Sequence, residues 1–235
     1  VSAAPNKSYT HQENQSGTKE TVFSRDVYTA SKQINATALG INKLSGITDM
    51  YCADDNTVYL LCGGESRLIV LNGNYEFVRE ISVHDEEGYP YNFNGAEGVY
   101  VNNSGVIYIA NTLNSEVITV NQNGEVTDKL ETPKSDIIPE DFFFQPTKVL
   151  EDDQGYFYVL SLGCYYGVLL YSKDREFLGF YGANEVESTV LDTLSNLWKL
   201  LTSNDEKKSK QVKNLPYTVI DVVLDSDGYV YTCTG

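Results

Sequence analysis

Short apolar runs of four to six residues recur along the chain, broken by clusters of Asn, Asp, Ser and Gly. Runs of that length, rich in Val, Ile, Leu and Tyr, are the pattern of strands rather than helices. Four segments share one layout: a strand, a polar turn, and a second strand bearing a tyrosine. They are Gly46–Tyr59, Ala96–Tyr108, Pro146–Tyr158 and Val219–Tyr231. In each, the tyrosine follows a turn residue by three: Asn56, Gly105, Gly155 and Gly228. Gly and Asn tolerate the positive φ that a tight hairpin requires.

The first three hairpins are each followed by another. Arg67–Leu71 leads through Asn72-Gly73-Asn74 to Tyr75–Ile81. Glu116–Val120 leads through Asn121–Gly124 to Glu125 and Val126. Val168–Tyr171 leads through Lys173-Asp174 to Phe177–Phe180. The tyrosines Tyr59, Tyr108, Tyr158 and Tyr231 stand 49, 50 and 73 residues apart. The first two spacings suit one four-stranded sheet plus a connector, and the third adds an insertion. Such repetition predicts an all-β propeller of about three full blades and a partial fourth. The blades fall near 44–82, 94–131, 145–182 and 217–235, within a propeller region spanning 21–235.

Two segments break the repeat. Residues 1–20 are polar and are expected to be disordered. Residues 185–213 read as a helical insertion, with Val190, Leu191, Leu194, Leu197, Trp198 and Leu201 on one apolar stripe. That stripe packs on the propeller or meets a partner helix. Val22-Phe23 and Val27-Tyr28 are candidates for an outer strand that closes the ring. The last segment holds only the first two strands of a blade. A longer natural chain, or self-association of an open arc, is therefore expected.

Val106-Ile-Tyr-Ile-Ala-Asn-Thr-Leu-Asn-Ser-Glu-Val-Ile-Thr-Val-Asn121 resembles an NHL repeat, in which a strand, a D-T-x-N-x-R-like loop and a second strand follow one another. Asn111 stands where the loop's acid is usual, and Glu116 where a base is usual, so the chain resembles a divergent member. More narrowly, residues 40–235 resemble the extracellular NHL-like proteins of gut Firmicutes, often encoded beside sugar transporters. There a Trp-bearing helix precedes a segment like Leu215–Tyr231. The resemblance implies a secreted or extracellular bacterial protein, free or tethered to a membrane through residues outside this chain, and accessory to sugar transport.

Charge narrows the partners. The formal net charge of −16 over 235 residues repels phosphate backbones, so no nucleic acid is expected. No apolar run reaches the roughly 20 residues that span a bilayer, so membrane insertion by this segment is not expected either. Val1-Ser2-Ala3-Ala4-Pro5 resembles the sequence at or after a signal cleavage site. Cys52, Cys62, Cys164 and Cys233 form no C-x-x-C pair, and the only histidines are His11 and His84, which disfavours structural zinc. Cys52 and Cys62 flank a hairpin turn, and a disulfide between them is one alternative to two free thiols.

Long, irregular loops are where function usually resides. Tyr89, Tyr91 and Phe93, with Tyr165 and Tyr166, form a candidate ligand-binding face, since exposed rings offer flat platforms with a polar tip. The expected activity is non-enzymatic recognition of a glycan or a cell-surface protein, with no cofactor. No G-x-S-x-G occurs, and His84 is the only histidine in the repeat region, which argues against a Ser-His-Asp hydrolase. The alternative is a metal-dependent hydrolase or lactonase, in which Glu97, Asn111 and Asp221 would hold Ca²⁺ through hard oxygen ligands.

Overall fold

In a computed structural model of the chain, residues 10–15, 18–23, 32–138, 142–163, 167–182, 218–225 and 227–234 are described. The chain divides between Lys43 and Leu44, later than the change in composition near residue 20. In the first unit, β1 (Thr10–Gln15) pairs antiparallel with β2 (Thr18–Phe23). This hairpin stands in the segment that composition marks for disorder, and Ser16-Gly17 between the strands is a turn-favouring dipeptide. β2, with Val22 and Phe23, belongs to that two-stranded sheet. A one-turn helix, α1 (Ala36–Leu39), follows, capped by the Asn35 side chain.

The second unit is all-β among its described residues. The first sheet holds β3 (Asp49–Cys52), β4 (Val58–Cys62), β5 (Arg67–Leu71) and β6 (Phe77–Ile81). The second holds β7 (Gly98–Val101), β8 (Ile107–Asn111), β9 (Glu116–Val120) and β10 (Val126–Leu130). The third holds β11 (Pro146–Glu151), β12 (Phe157–Ser161), β13 (Val168–Tyr171) and β14 (Phe177–Tyr181). A two-stranded sheet, β15 (Val219–Leu224) and β16 (Val230–Thr234), comes last. Each sheet is an antiparallel meander in chain order. The first strands lie side by side, β3 against β7, β7 against β11, and β11 against β15. Four-stranded meanders arrayed about their first strands are blades of a β-propeller. The segment read as a helical insertion, Trp198 included, lies outside the described residues.

Seven turns join the first strand to the second, or the third to the fourth, within the blades, and all seven share one backbone hydrogen-bond pattern. The fourth turn residue donates its amide to the carbonyl of the first, as Gly105 does to Asn102 at 2.9 Å. The first donates to the carbonyl of the fifth, as Asn102 does to Val106 at 3.0 Å. In six turns a side-chain oxygen of the first residue also accepts from the amides of the third and fifth. Asn72, Asn102, Asn121, Asp152, Ser172 and Asp225 play this part. In the remaining turn Ala53 has no such oxygen, and Asp55 accepts from Thr57 instead. The fourth residue takes positive φ, which Asn56 (65°), Tyr75 (63°) and Arg175 (67°) adopt without being glycine.

These turns set the register. Tyr59, Tyr108, Tyr158 and Tyr231 are each the second residue of the second strand, opposite Tyr51, Tyr100, Leu150 and Val223. Alternate residues of one strand then serve two different interfaces. Ile107 and Ile109 of β8 join Leu61, Val70 and Ile81 in the core between blades one and two. Tyr108 and Ala110, from the same strand, join Val149, Phe157 and Leu169 between blades two and three. Leu150, Tyr158, Leu160, Val219 and Val222 fill the third interface. Burial on both faces explains why β8, β9 and β12 are buried along their whole length.

Polar bridges supplement this packing. Glu151 Oε2 accepts from Tyr108 Oη at 2.7 Å and from Asn102 Nδ2 at 2.8 Å, tying blade two to blade three. The Arg175 guanidinium lies 3.9 Å from the Phe157 ring centroid and bonds Asp128 at 3.2 Å. Asn102 thus holds both its own turn and the neighbouring blade. Replacing it by alanine, Asn102→Ala, is expected to cost about 1–3 kcal/mol of unfolding free energy, since Glu151 and two turn amides lose a partner. Urea denaturation followed by tyrosine fluorescence measures this.

Candidate functional site

The register that aligns the tyrosines also aligns a position two residues before their partners. It holds Asp49, Gly98, Lys148 and Asp221, opposite Leu61, Ala110, Leu160 and Cys233. These four residues stand on the four adjacent first strands. Asp49 Oδ1 pairs with Lys148 Nζ at 2.6 Å, reaching from blade one to blade three. Asp49 Oδ2 accepts from the amide of Val99 at 2.9 Å. Between them, Gly98 presents only hydrogen. A β-carbon there would meet the Thr147 carbonyl oxygen at 2.2 Å, so close approach of β7 and β11 requires glycine.

Two cavities meet at this row. One, of about 350 Å³, is lined by residues of all four first strands and their turns, among them Asp49, Met50, Tyr51, Asp54, Tyr100, Asn103, Lys148, Asp153, Asp221 and Asp225. The other, of about 360 Å³, is lined by Thr48, Glu97, Thr147, Lys148, Ser161 and Thr218 among others. Lys148 is common to both. The first cavity thus joins five aspartates, one lysine and two tyrosine rings, the rings meeting edge to face at 5.0 Å.

Three tyrosine hydroxyls, one in the first cavity and two between blades, are held neutral. Burial, with Tyr51 and Glu151 nearby, raises the Tyr100 pKa well above its ordinary value. Burial and the hydrogen bond to Glu151 do the same for Tyr108. Burial and the adjacent Asp152 carboxylate push Tyr158 up to about 12.

The residues singled out from sequence fall in several places. The connector after β6 doubles back between Asp85 and Tyr89, and His84 bonds through its backbone to Gly124 and Val126 of blade two. Tyr89 is 69% exposed at the tip. Tyr91 is half-buried, its hydroxyl donating to Glu116 at 2.9 Å with Lys129 over its ring. Phe93 is 1% exposed and belongs to the core between blades one and two. Its amide donates to Ser66 Oγ at 3.0 Å, and with its ring buried among apolar side chains Phe93 is not part of an exposed ligand face. Tyr165 and Tyr166 lie outside the described residues.

The alternative metal ligands are not brought together. Glu97 lines one cavity, Asp221 the other, and Asn111 lines neither. Asn111 is buried, donating to Glu116 Oε1 at 2.8 Å and to the Asn92 carbonyl. The acid at position 116 thereby serves Tyr91 and Asn111 as an internal acceptor. Among the described residues no group of three or more His, Cys, Asp and Glu side chains converges on a metal-sized point. Cys52 pairs with Val58 and Cys62 with Arg67, at opposite ends of the β4 register, so the two thiols are free rather than bonded.

The site residues that sequence reading passed over are Asp49, Lys148, Asp54, Asn103 and Asp153. Counting two residues back from each strand-one partner of the tyrosines would have found the Asp49 and Lys148 row.

The fold defines the class: a β-propeller, with the candidate site among its first strands. No protein-family model matches the chain, and no curated protein matches it. Solved structures resemble the chain at low identity. A virginiamycin B lyase from Staphylococcus aureus is 9% identical, with 79% of this chain and 47% of that one covered and a TM-score of 0.47. The extracellular domain of a one-component system from B. thetaiotaomicron is 16% identical, over 92% of this chain and 24% of that one, at 0.46. A protein of unknown function from Bacteroides caccae is 12% identical, over 80% and 55%, at 0.48. The chain therefore spans 24 to 55% of the length of these structures. Among the described residues no helix is long and apolar enough to cross a membrane.

Two outcomes follow for the site. Lys148→Met leaves the largely buried Asp49 without its cation and is expected to lower stability by about 1–3 kcal/mol. The double variant Asp49→Asn/Lys148→Met should recover part of that loss, because no uncompensated charge remains. Denaturant titration of the three variants reads the coupling. The tyrosine shifts carry a definite sign. Raised folded-state pKa values mean that the folded chain keeps phenol protons which the unfolded chain releases above pH 10. Stability is then unaffected by these groups below pH 10 and falls as pH climbs from 10 through about 12, the Tyr158 value. Thermal melts across that range, with phenolate absorbance at 295 nm, test it.

Proposed function

We propose that this chain is a non-enzymatic, extracellular binding module that recognises a neutral glycan in the first cavity. The observation that carries this reading is the company kept there by Tyr51, Tyr100, Asp54, Asn103, Asp153, Asp221 and Asp225. Sugar hydroxyls donate well to carboxylates, and charge-assisted hydrogen bonds are the stronger kind. Aromatic rings accept the apolar faces of sugar rings. A volume of about 350 Å³ lies within the range of small-ligand sites. The excess of carboxylates disfavours acidic sugars, which would bring like charge.

The extracellular placement rests on the resemblance to secreted NHL-like proteins. That resemblance also supports a role beside a sugar-transport system. A metal-dependent hydrolase on Glu97, Asn111 and Asp221 has less support, because these residues do not share one cavity.

Screening the full chain on an array of neutral, amino and acidic oligosaccharides tests the reading. Neutral glycans are expected to bind. Asp153→Ala, whose carboxylate lines the cavity, should weaken binding about tenfold or more, the effect of one lost charge-assisted bond. Selective binding of acidic glycans, or binding indifferent to Asp153→Ala and Tyr51→Ala, would place the ligand elsewhere.

A further inference from the structure

We propose that the first cavity takes a glycan end on, with Lys148 at its floor as the residue that selects the terminal sugar. The inference rests on the glycan reading of that cavity and adds a direction of entry and a specificity contact. At one end the cavity is lined by the turn residues Asp54, Asn103, Asp153 and Asp225. At the other it reaches Asp49, Lys148 and Asp221 of the first strands. Among the described residues Lys148 is the one that lines both cavities, and the second lies past it, beside Thr48, Glu97 and Thr147.

The partition between the cavities is firmly built. The Lys148 ammonium crosses blade two to reach Asp49 Oδ1 at 2.6 Å, and Asp49 Oδ2 is held by the amide of Val99 at 2.9 Å. Beneath that bridge β7 approaches β11 so closely that a β-carbon on Gly98 would meet the Thr147 carbonyl oxygen at 2.2 Å. The floor is thus made within β3, β7 and β11, which lie side by side. From Lys148 to Glu151, where β11 ends, the strand rises about 10 Å at ~3.3 Å per residue. A recess of that depth and of about 350 Å³ holds the end of a chain. An internal sugar carries a further residue on each side, and one of them would meet the floor.

Chemistry at the floor differs from that at the rim. The aspartates accept hydrogen bonds, whereas Lys148 is the cation among the residues lining this cavity. An ammonium has three N–H donors, and Asp49 takes one of them. Asp49 itself is committed through both oxygens, to Lys148 and to Val99. The remaining Lys148 donors therefore serve an oxygen of the sugar seated on the floor. A sugar that lacks an oxygen at that point leaves a partly buried donor unpaired, and sites of this kind reject such analogues strongly.

The test uses the full chain and neutral gluco-, galacto- and manno-oligosaccharides, each in lengths of two, four and eight residues, with isothermal titration calorimetry as the readout. A site for chain ends is expected to give molar affinities within about twofold for four and eight residues, because every molecule offers the same number of ends. The double variant Asp49→Asn/Lys148→Met leaves no uncompensated charge. It should weaken the tightest sugar by about tenfold or more and change the ranking of the three series. Lys148→Arg keeps the ion pair but redirects the donors, so it should change the ranking too. Failure of every series to bind, or binding indifferent to Asp153→Ala, would defeat the cavity reading itself. Binding that depends on Asp153 yet strengthens steadily from four to eight residues, or keeps its ranking in both Lys148 variants, would overturn this proposal alone.

Discussion

One side-chain oxygen at the head of a hairpin turn accepts two backbone amides, and the pairing register of the strands follows from it. Asn102, Asp152 and Asp225 do this in the first hairpins of blades two to four, and Asn72, Asn121 and Ser172 in the second hairpins. A slip by one residue would turn every side chain to the opposite face of its sheet. Here the error would be doubled, because both faces of the central strands are buried against different neighbours. Ile107 and Tyr108 would exchange interfaces, and the Tyr108 hydroxyl would lose Glu151. Three non-glycine residues, Asn56, Tyr75 and Arg175, take positive φ at the fourth position of these turns. Arg175 accepts an unfavourable backbone while its guanidinium spans blades two and three.

The same register makes the site. Once the turns are fixed, the row Asp49, Gly98, Lys148 and Asp221 is brought to the adjacent inner strands. One structural position thus carries an acid, a hydrogen, a base and an acid in four successive blades. Gly98 lets two backbones approach, and that approach lets Lys148 reach Asp49 past an intervening blade. The ion pair separates two cavities of similar size but different chemistry, one rich in aspartate and tyrosine, the other lined by threonines and Glu97. Repetition supplies the frame, and departures from repetition supply the chemistry.

Blade four shows what the frame does when the third strand is absent from the described residues. Its tyrosine occupies the repeated place and its turn has the repeated hydrogen bonds, yet its side chain is open to solvent. The turn is a local structure held by Asp225, and it forms without the rest of a blade. Burial of the tyrosine is not local, since it needs a neighbour on the far side of β16.

The sequence by itself determined the strands, the turns, the fifty-residue repeat and the place of the four tyrosines, because these depend on neighbours a few residues apart. Turn chemistry and two-residue alternation are written in consecutive letters. Tertiary structure alone decided the fate of Phe93, which alternates with Tyr89 and Tyr91 but is buried in the apolar core between blades one and two. It also decided that Glu116 is an internal acceptor and that Cys52 and Cys62 stand apart along one hairpin. Above all it decided the Asp49–Lys148 pair, whose members lie 99 residues apart. Nothing in either local sequence marks that contact, since it arises only when three blades have packed at the spacing that Gly98 permits.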